Sequence, residues 1–408
     1  MKKYFLKKKL FALVFFVVLF SFSIFNFMHS YEPLKELITD PEREEAITVT
    51  QLEASINEEL LGRMKFIETY GYIQVLLDKR ESNNFTSIID EDGFLHYASF
   101  YREEDPRIFE YAMRLKRLQD CVAPNDTKVL FVVTPGKYCP DETVFRKGIS
   151  VNNPNPVVDE LLFYLNRLGI ETLDLRDSLP NENLSYEETF FKTDHHWTIP
   201  AAFYATGEVI AKIEESFGEN LDPEGYYTDI NNYDLVTYEQ GMLGSMGRKT
   251  GAVFSGLEDF TAVWPRFEGD FYRECLSESG SRVSTYKGSF TEALMDTELL
   301  IHKDDVYSDS QYSTYLNGLR IYEKIINNEN PDGPSFFMIR DSYFSPVMAF
   351  MMPMCGRIDA IWSLEETREL DIESYVKEEK FDYIIMEIYP YNIENKAFNF
   401  FKEETVNE

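Results

Sequence analysis

The sequence predicts an α/β fold: a three-layer α/β/α sandwich built on a mainly parallel sheet and preceded by an N-terminal transmembrane helix. Three observations carry this expectation. Short segments such as residues 128–134 and 383–388 are built around continuous apolar runs (129–133 and 383–386), as strands covered by helices on both faces require. These segments alternate with stretches whose apolar residues recur at helical spacing. The amino terminus joins a lysine cluster to a long apolar run.

Taken in order, Lys2, Lys3, Lys7, Lys8 and Lys9 precede an apolar run over residues 10–28, interrupted only by Ser21, Ser23 and Asn26. At 1.5 Å per residue, about 19 residues span about 28 Å, close to the hydrocarbon thickness of a bilayer. The lysines should remain in the cytoplasm, placing all that follows on the outer face. No small-x-small cleavage site follows the run, so residues 1–30 read as an uncleaved signal anchor in the cell membrane. Residues 31–63 are charged and weakly patterned, which suits a linker or stalk. The folded domain is expected over 64–408. It opens with a turn and strand entry at 90–97, followed by a helix over 107–121 carrying Ile108, Tyr111, Ala112, Leu115 and Leu118. The strand at 128–134 stops at Pro135-Gly136. A helix at 157–168, strands at 170–175 and 336–339, a helix to about 352, and strands at 358–362 and 383–388 complete the alternation. Residues 220–315, richer in Gly, Tyr and Asp, read as an insertion beside the sheet that shapes the substrate site.

Length and composition suit a sizeable core: 408 residues, 44% of them hydrophobic and 15% aromatic. A formal charge of -31, from 71 acidic against 40 basic side chains, excludes nucleic acid as an expected partner, because each phosphate contact needs a cation. Cys121, Cys139, Cys275 and Cys355 match no metal-binding spacing. Cys121 and Cys139 flank one predicted strand and could pair, with free thiols the equal reading.

Two segments bear chemistry. Thr193-Asp194-His195-His196-Trp197-Thr198 holds two of only 5 histidines, and histidine is the side chain suited to proton transfer near neutral pH. In extended backbone Asp194 and His196 would project to one side, letting the carboxylate orient the imidazole. Capping of a helix by Thr198 and Pro200 is the plainer reading. The second segment, Arg340-Asp341-Ser342-Tyr343, lies where a buried strand gives way to a helix, a position from which a serine can attack an acyl carbon while its own N–H faces the oxyanion. Here too, helix capping is the plainer reading.

Together these segments resemble the SGNH-like alginate O-acetyltransferase class and the related DHHW family. Asp194-His195-His196-Trp197 matches the Asp-x-His-Trp signature, and Arg340-Asp341-Ser342 resembles the Gly-Asp-Ser block with Gly replaced. Weaker matches lie at 92–95, 131–137 and 173–176. The resemblance implies Ser342 as nucleophile, His196 as general base and Asp194 as its orienter. His195, Trp197, Arg340 and Arg248 are the candidate substrate contacts. No cofactor or metal is expected. An O-acyltransferase acting on a cell-surface or exported polysaccharide is the leading reading, with a multi-spanning membrane protein as acyl donor. A carbohydrate esterase using the same triad is the alternative, and a non-catalytic glycan-binding or assembly protein the second. The Asp-His-His run also resembles DHH phosphoesterases, but His29, His96 and His302 supply no further ligand cluster.

Overall fold

Strand residues 129–133 point alternately to two faces, and the chain covers both. Val129, Phe131 and Val133 pack with Leu115, Leu161 and Val376, whereas Leu130 and Val132 pack with Val209 and Val347. A run of this kind must therefore be apolar throughout. The structure, a computed structural model, describes residues 2–39, 47–82, 85–98, 107–140, 142–149, 151, 153–178, 184–277, 281–301, 306–307, 310–363, 371–394 and 396–401.

Among these residues the strands in chain order are β1 (Glu81–Ser82), β2 (Ser87–Ile89), β3 (Leu95–Tyr97), β4 (Lys128–Val133), β5 (Glu171–Asp174), β6 (Tyr233–Met242), β7 (Glu258–Pro265), β8 (Phe271–Leu276), β9 (Arg282–Gly288), β10 (Tyr322–Asn327), β11 (Ser335–Arg340), β12 (Arg357–Trp362) and β13 (Tyr383–Ile388). The main sheet has 8 strands in the order β5-β4-β13-β11-β12-β10-β8-β9. Helices Ile108–Val122, Asn155–Arg167 and Ile372–Glu379 cover one face; Ile199–Phe217 and Phe344–Met351 cover the other. The expected three layers are present.

The sheet corrects the expectation in one respect, because it is mixed. From β5 to β12 neighbours run parallel, but β10, β8 and β9 pair antiparallel. The physical reason is the connection: the link from β8 to β9 is too short for a crossover helix and leaves only a hairpin. Strands β8 and β9 come from the segment read as lying beside the sheet, yet they form its edge. Elsewhere in that segment β6 and β7 make a separate two-stranded ribbon.

The N-terminal helix runs from Lys2 to Thr39, beyond the expected end of the anchor. Among the described residues it is the one helix long and apolar enough to cross a membrane, and it fits a single-pass anchor. Residues 40–46 of the expected linker lie outside the described part. The remainder is helical at Val49–Glu58, which Thr48 and Gln51 start with a reciprocal capping box, and again from Arg63 to Leu76.

No disulfide joins any of the four cysteines. Cys121 packs against the core on one face of the sheet and Cys139 against the core on the other, so of the two readings left open the pairing is not made.

Candidate active site

Strand β11 ends at Arg340, and a turn carries the chain into helix Phe344–Met351. Asp341 pins that turn. Its carboxylate accepts from the N–H of Tyr343 at 2.9 Å, the N–H of Tyr389 at 2.9 Å and Asn392 Nδ2 at 2.8 Å. Its own N–H donates to Glu387 Oε2 at 2.9 Å, and Thr134 donates to the other Glu387 oxygen at 3.1 Å. Burial, and then the neighbouring Asp341, push the Glu387 carboxyl well above its usual range. Two sequence-distant segments, 387–392 and Thr134, thus hold the turn, leaving the half-buried Ser342 between β11 and the helix.

Asp194 and His196 face it from a bend between Phe191 and Trp197. They do not lie in extended backbone, as the spacing had suggested. Asp194 Oδ1 instead accepts from the His196 N–H at 3.1 Å and pairs with His196 Nδ1 at 2.6 Å, so one local turn orients the ring. His196 Nε2 lies 2.7 Å from Ser342 Oγ. The His196 ring stacks on Tyr312 with centroids 3.8 Å apart, which holds the imidazole plane.

The other Asp194 oxygen accepts from the Ser245 N–H at 2.6 Å, at the start of helix Ser245–Thr250. Gly244 makes this approach possible, since a Cβ there would fall 2.4 Å from Asp194 Cβ and 2.6 Å from its N. Lys137, buried at the end of β4, donates from Nζ to the carbonyls of Asp194 at 2.7 Å and Lys192 at 3.0 Å. Glu258 accepts from the N–H groups of Lys192 at 2.6 Å and Thr193 at 2.8 Å. The bend is therefore held from both sides.

Burial works against charge on His196, and the adjacent His195 adds to it. Although Asp194 pulls the other way, the imidazole falls to about 4 and is neutral at ordinary pH. Burial alone would raise Asp194, but the two imidazoles hold its carboxyl well below the usual range. Burial lowers Lys137 to about 8 against the pull of Glu258, Asp194 and Asp90. An ionised Asp194, a neutral His196 and a hydroxyl at hydrogen-bond distance make a relay in which the serine proton has an acceptor.

Comparison with known proteins bears on the fold that carries this arrangement. Residues 88–241 match the family model described as an SGNH hydrolase-like domain, acetyltransferase AlgX. A DHHW family protein from Eubacterium siraeum superposes with a TM-score of 0.56 at 17% identity, over 78% of this chain and 96% of that one. PatB1 from Bacillus cereus superposes with a TM-score of 0.59 at 14% identity, over 77% of this chain and 99% of that one. The chain has an SGNH-like fold. No curated protein matches the sequence. The resemblance read from residues 193–198 and 340–343 is borne out, and the matched family segment contains Asp194 and His196 but ends before Ser342.

The remaining candidates of this SGNH-like domain separate by position. His195 keeps a half-exposed ring whose Nδ1 lies 3.0 Å from Ser245 Oγ. Arg248 sits half-buried on helix Ser245–Thr250. The other two candidates for substrate contact are enclosed by protein. Trp197 is fully buried, with Nε1 donating to Tyr312 OH at 3.1 Å and to the Tyr343 carbonyl at 3.2 Å, because its indole has the apolar core to fill. Arg340 is also fully buried. It pairs with Glu323 and donates to Ser345 Oγ at 3.0 Å, since a guanidinium at a buried strand end must find a carboxylate.

As for a metal, Asp194, His195 and His196 cluster closely enough to be considered. The 2.6 Å from Asp194 Oδ1 to His196 Nδ1 is a hydrogen-bond separation with no room for an ion between. The Nε2 of His96 pairs with Asp90 Oδ2 at 2.8 Å, and His302 lies outside the described residues. Sequence reasoning missed Lys137, Gly244, Ser245, Glu258 and Tyr312 as supports. Only Lys137 left a local signal, a lone lysine just beyond an apolar strand and its Pro-Gly stop.

Proposed function

We propose that this chain is a membrane-anchored, extracytoplasmic O-acyltransferase that transfers acyl groups, acetyl above all, to a cell-surface or exported polysaccharide. The observation that carries the proposal is His196, bridging Asp194 Oδ1 at 2.6 Å and Ser342 Oγ at 2.7 Å. In this reading residues 64–408 form the catalytic unit and 1–30 the anchor, with the lysine cluster in the cytoplasm. Ser342 Oγ attacks the acyl carbon as its proton passes to His196 Nε2, and the Ser342 N–H stabilises the oxyanion. The tetrahedral adduct collapses, and His196 returns the proton to the departing donor oxygen. A sugar hydroxyl then gives its proton to His196, attacks the acyl-enzyme and leaves as the ester while Ser342 regains a hydrogen. His195 and Arg248 are the proposed carbohydrate contacts. Because acyl-coenzyme A is cytoplasmic, a multi-spanning membrane protein would supply the acyl group.

Support comes from the acetyltransferase family model over 88–241 and from a PatB1 structure that carries a sulfonyl adduct, at 14% identity and a TM-score of 0.57. A sulfonyl reagent marks an activated hydroxyl, so the same treatment here should modify Ser342. The direct test is turnover of an activated acetyl ester by the detergent-solubilised full chain. Ser342→Ala and His196→Ala are expected to lower it by about 10³-fold or more while the fold is retained. Unchanged release in both variants would sink the triad. Adding oligosaccharide acceptors and weighing the products separates the two chemistries: acetylated sugar supports transfer, and free acetate alone assigns the site to an esterase.

A further inference from the structure

Helix Arg63–Leu76 docks on the domain by one narrow stripe. Gly71 lets it approach helix Ser245–Thr250, since a Cβ there would meet the Thr250 carbonyl oxygen at 2.5 Å. On the same side Glu68 accepts from the N–H groups of Ala252 at 2.7 Å and Val253 at 3.0 Å. A different face carries Phe66, Tyr70, Ile73 and, at the C-cap, Leu77, spaced to line up along one side. These residues are 54%, 44%, 45% and 61% exposed, an apolar strip that a water-facing helix would not be expected to keep.

The position of that strip relative to the anchor says what covers it. Phe66 packs edge-on against Phe22, with ring centroids 6.0 Å apart. The Leu61 N–H donates to Asn26 Oδ1 at 2.7 Å, while Asn26 Nδ2 donates to the Phe22 carbonyl at 2.8 Å. The polar interruption of the apolar run is thereby satisfied by the segment that leads into this helix. Phe22 lies six residues, or about 9 Å, inside the outer end of the 10–28 run, so its contact with Phe66 occurs at bilayer depth.

We propose that helix Arg63–Leu76 lies in the outer-leaflet interface of the membrane, with Phe66, Tyr70, Ile73 and Leu77 among the lipid chains. This rests on the anchor reading of residues 1–30. Tyr70 suits the interfacial zone, and exposed Arg63 and Lys65 can extend to lipid phosphates. The consequence is an active site held close to the membrane in a defined orientation, since the helix is bound both to the anchor and to helix Ser245–Thr250, whose first N–H holds Asp194.

The test is photocrosslinking in the full chain in membranes. p-Benzoylphenylalanine is placed one site at a time at Ile73, at Phe16 within the anchor and at exposed Phe163 of helix Asn155–Arg167, and adducts are identified by mass. Lipid adducts at 73 at least tenfold above those at 163 are expected, with 16 also positive. Adducts at 16 but none at 73, or a protein adduct at 73, would overturn the proposal, the latter in favour of a partner protein. No lipid at 16 with lipid at 73 would remove the anchor reading and leave the interfacial helix. No lipid at either position removes both.

Discussion

The two halves of the main sheet carry different burdens. The parallel half, β5-β4-β13-β11-β12, supplies the ends from which Lys137, Asp341 and Glu387 frame the candidate site. The antiparallel half, β10-β8-β9, contributes no member of the relay. It holds buried charge instead: Arg273 pairs with Glu323 at 2.9 Å, and Glu323 pairs with Arg340, whose side chain reaches past β12 from the end of β11. Parallel strands place several loops at one edge, where groups distant in sequence converge. Antiparallel strands widen the sheet and brace that edge.

This contrast can be broken, beginning with the largest expected effect. Arg340→Met should destabilise the fold by about 3 kcal/mol, because Glu323 loses one of its two buried partners. Denaturant titration measures the loss, and the folded fraction should turn over ester at an undiminished rate. A lowered kcat with unchanged stability would make Arg340 part of the parallel half's chemistry.

Gly244→Ala tests the site that the parallel half frames. Its new methyl group would displace Asp194, and kcat/KM should fall by on the order of 10²-fold, in line with an ångström-scale misplacement. A fully active, well-folded alanine variant would show that Asp194 tolerates the shift.

Acid should act through the two buried histidines, His196 of the relay and His96 of β3. His196 and His96 both lie at about 4 when folded, while the unfolded chain binds these protons near 6.5. Stability is therefore complete above pH 6.5 and is lost progressively as pH falls toward 4. The acid limb of kcat/KM should likewise lie near 4. A limb at 6.5 would mean that His196 is hydrated and not buried.

The smallest effect is expected from the thiols. Cys121→Ser with Cys139→Ser should shift stability by less than about 1 kcal/mol, and reductant should leave the melting temperature unchanged. A reductant-dependent melting temperature would reveal a disulfide across the sheet.

Legibility in the sequence followed the range of the interactions involved. The parallel strands were readable because burial on two faces forces apolar runs, and 383–388 coincides with β13. β10 was not readable: Tyr322-Glu-Lys-Ile-Ile-Asn327 carries a charged pair, and its Glu323 is tolerated in the core only because Arg273 and Arg340 meet it there. The antiparallel edge escaped for a related reason. In β8, buried positions alternate with half-exposed ones and include Arg273, a residue that reads as solvent-facing until its partners are known.

By itself the sequence determined what local chemistry can determine. It specified the lysine-flanked apolar run, the doubly covered strands and the Asp-x-His pair, though not the turn that joins the pair. It also placed a serine where a strand gives way to a helix. Only the tertiary structure decided that Ser342 comes within 2.7 Å of His196, that Arg340 turns inward and that Trp197 is core. Those outcomes depend on partners 17 residues away for Arg340, 115 for Trp197 and 146 for Ser342, and no local spacing encodes such distances.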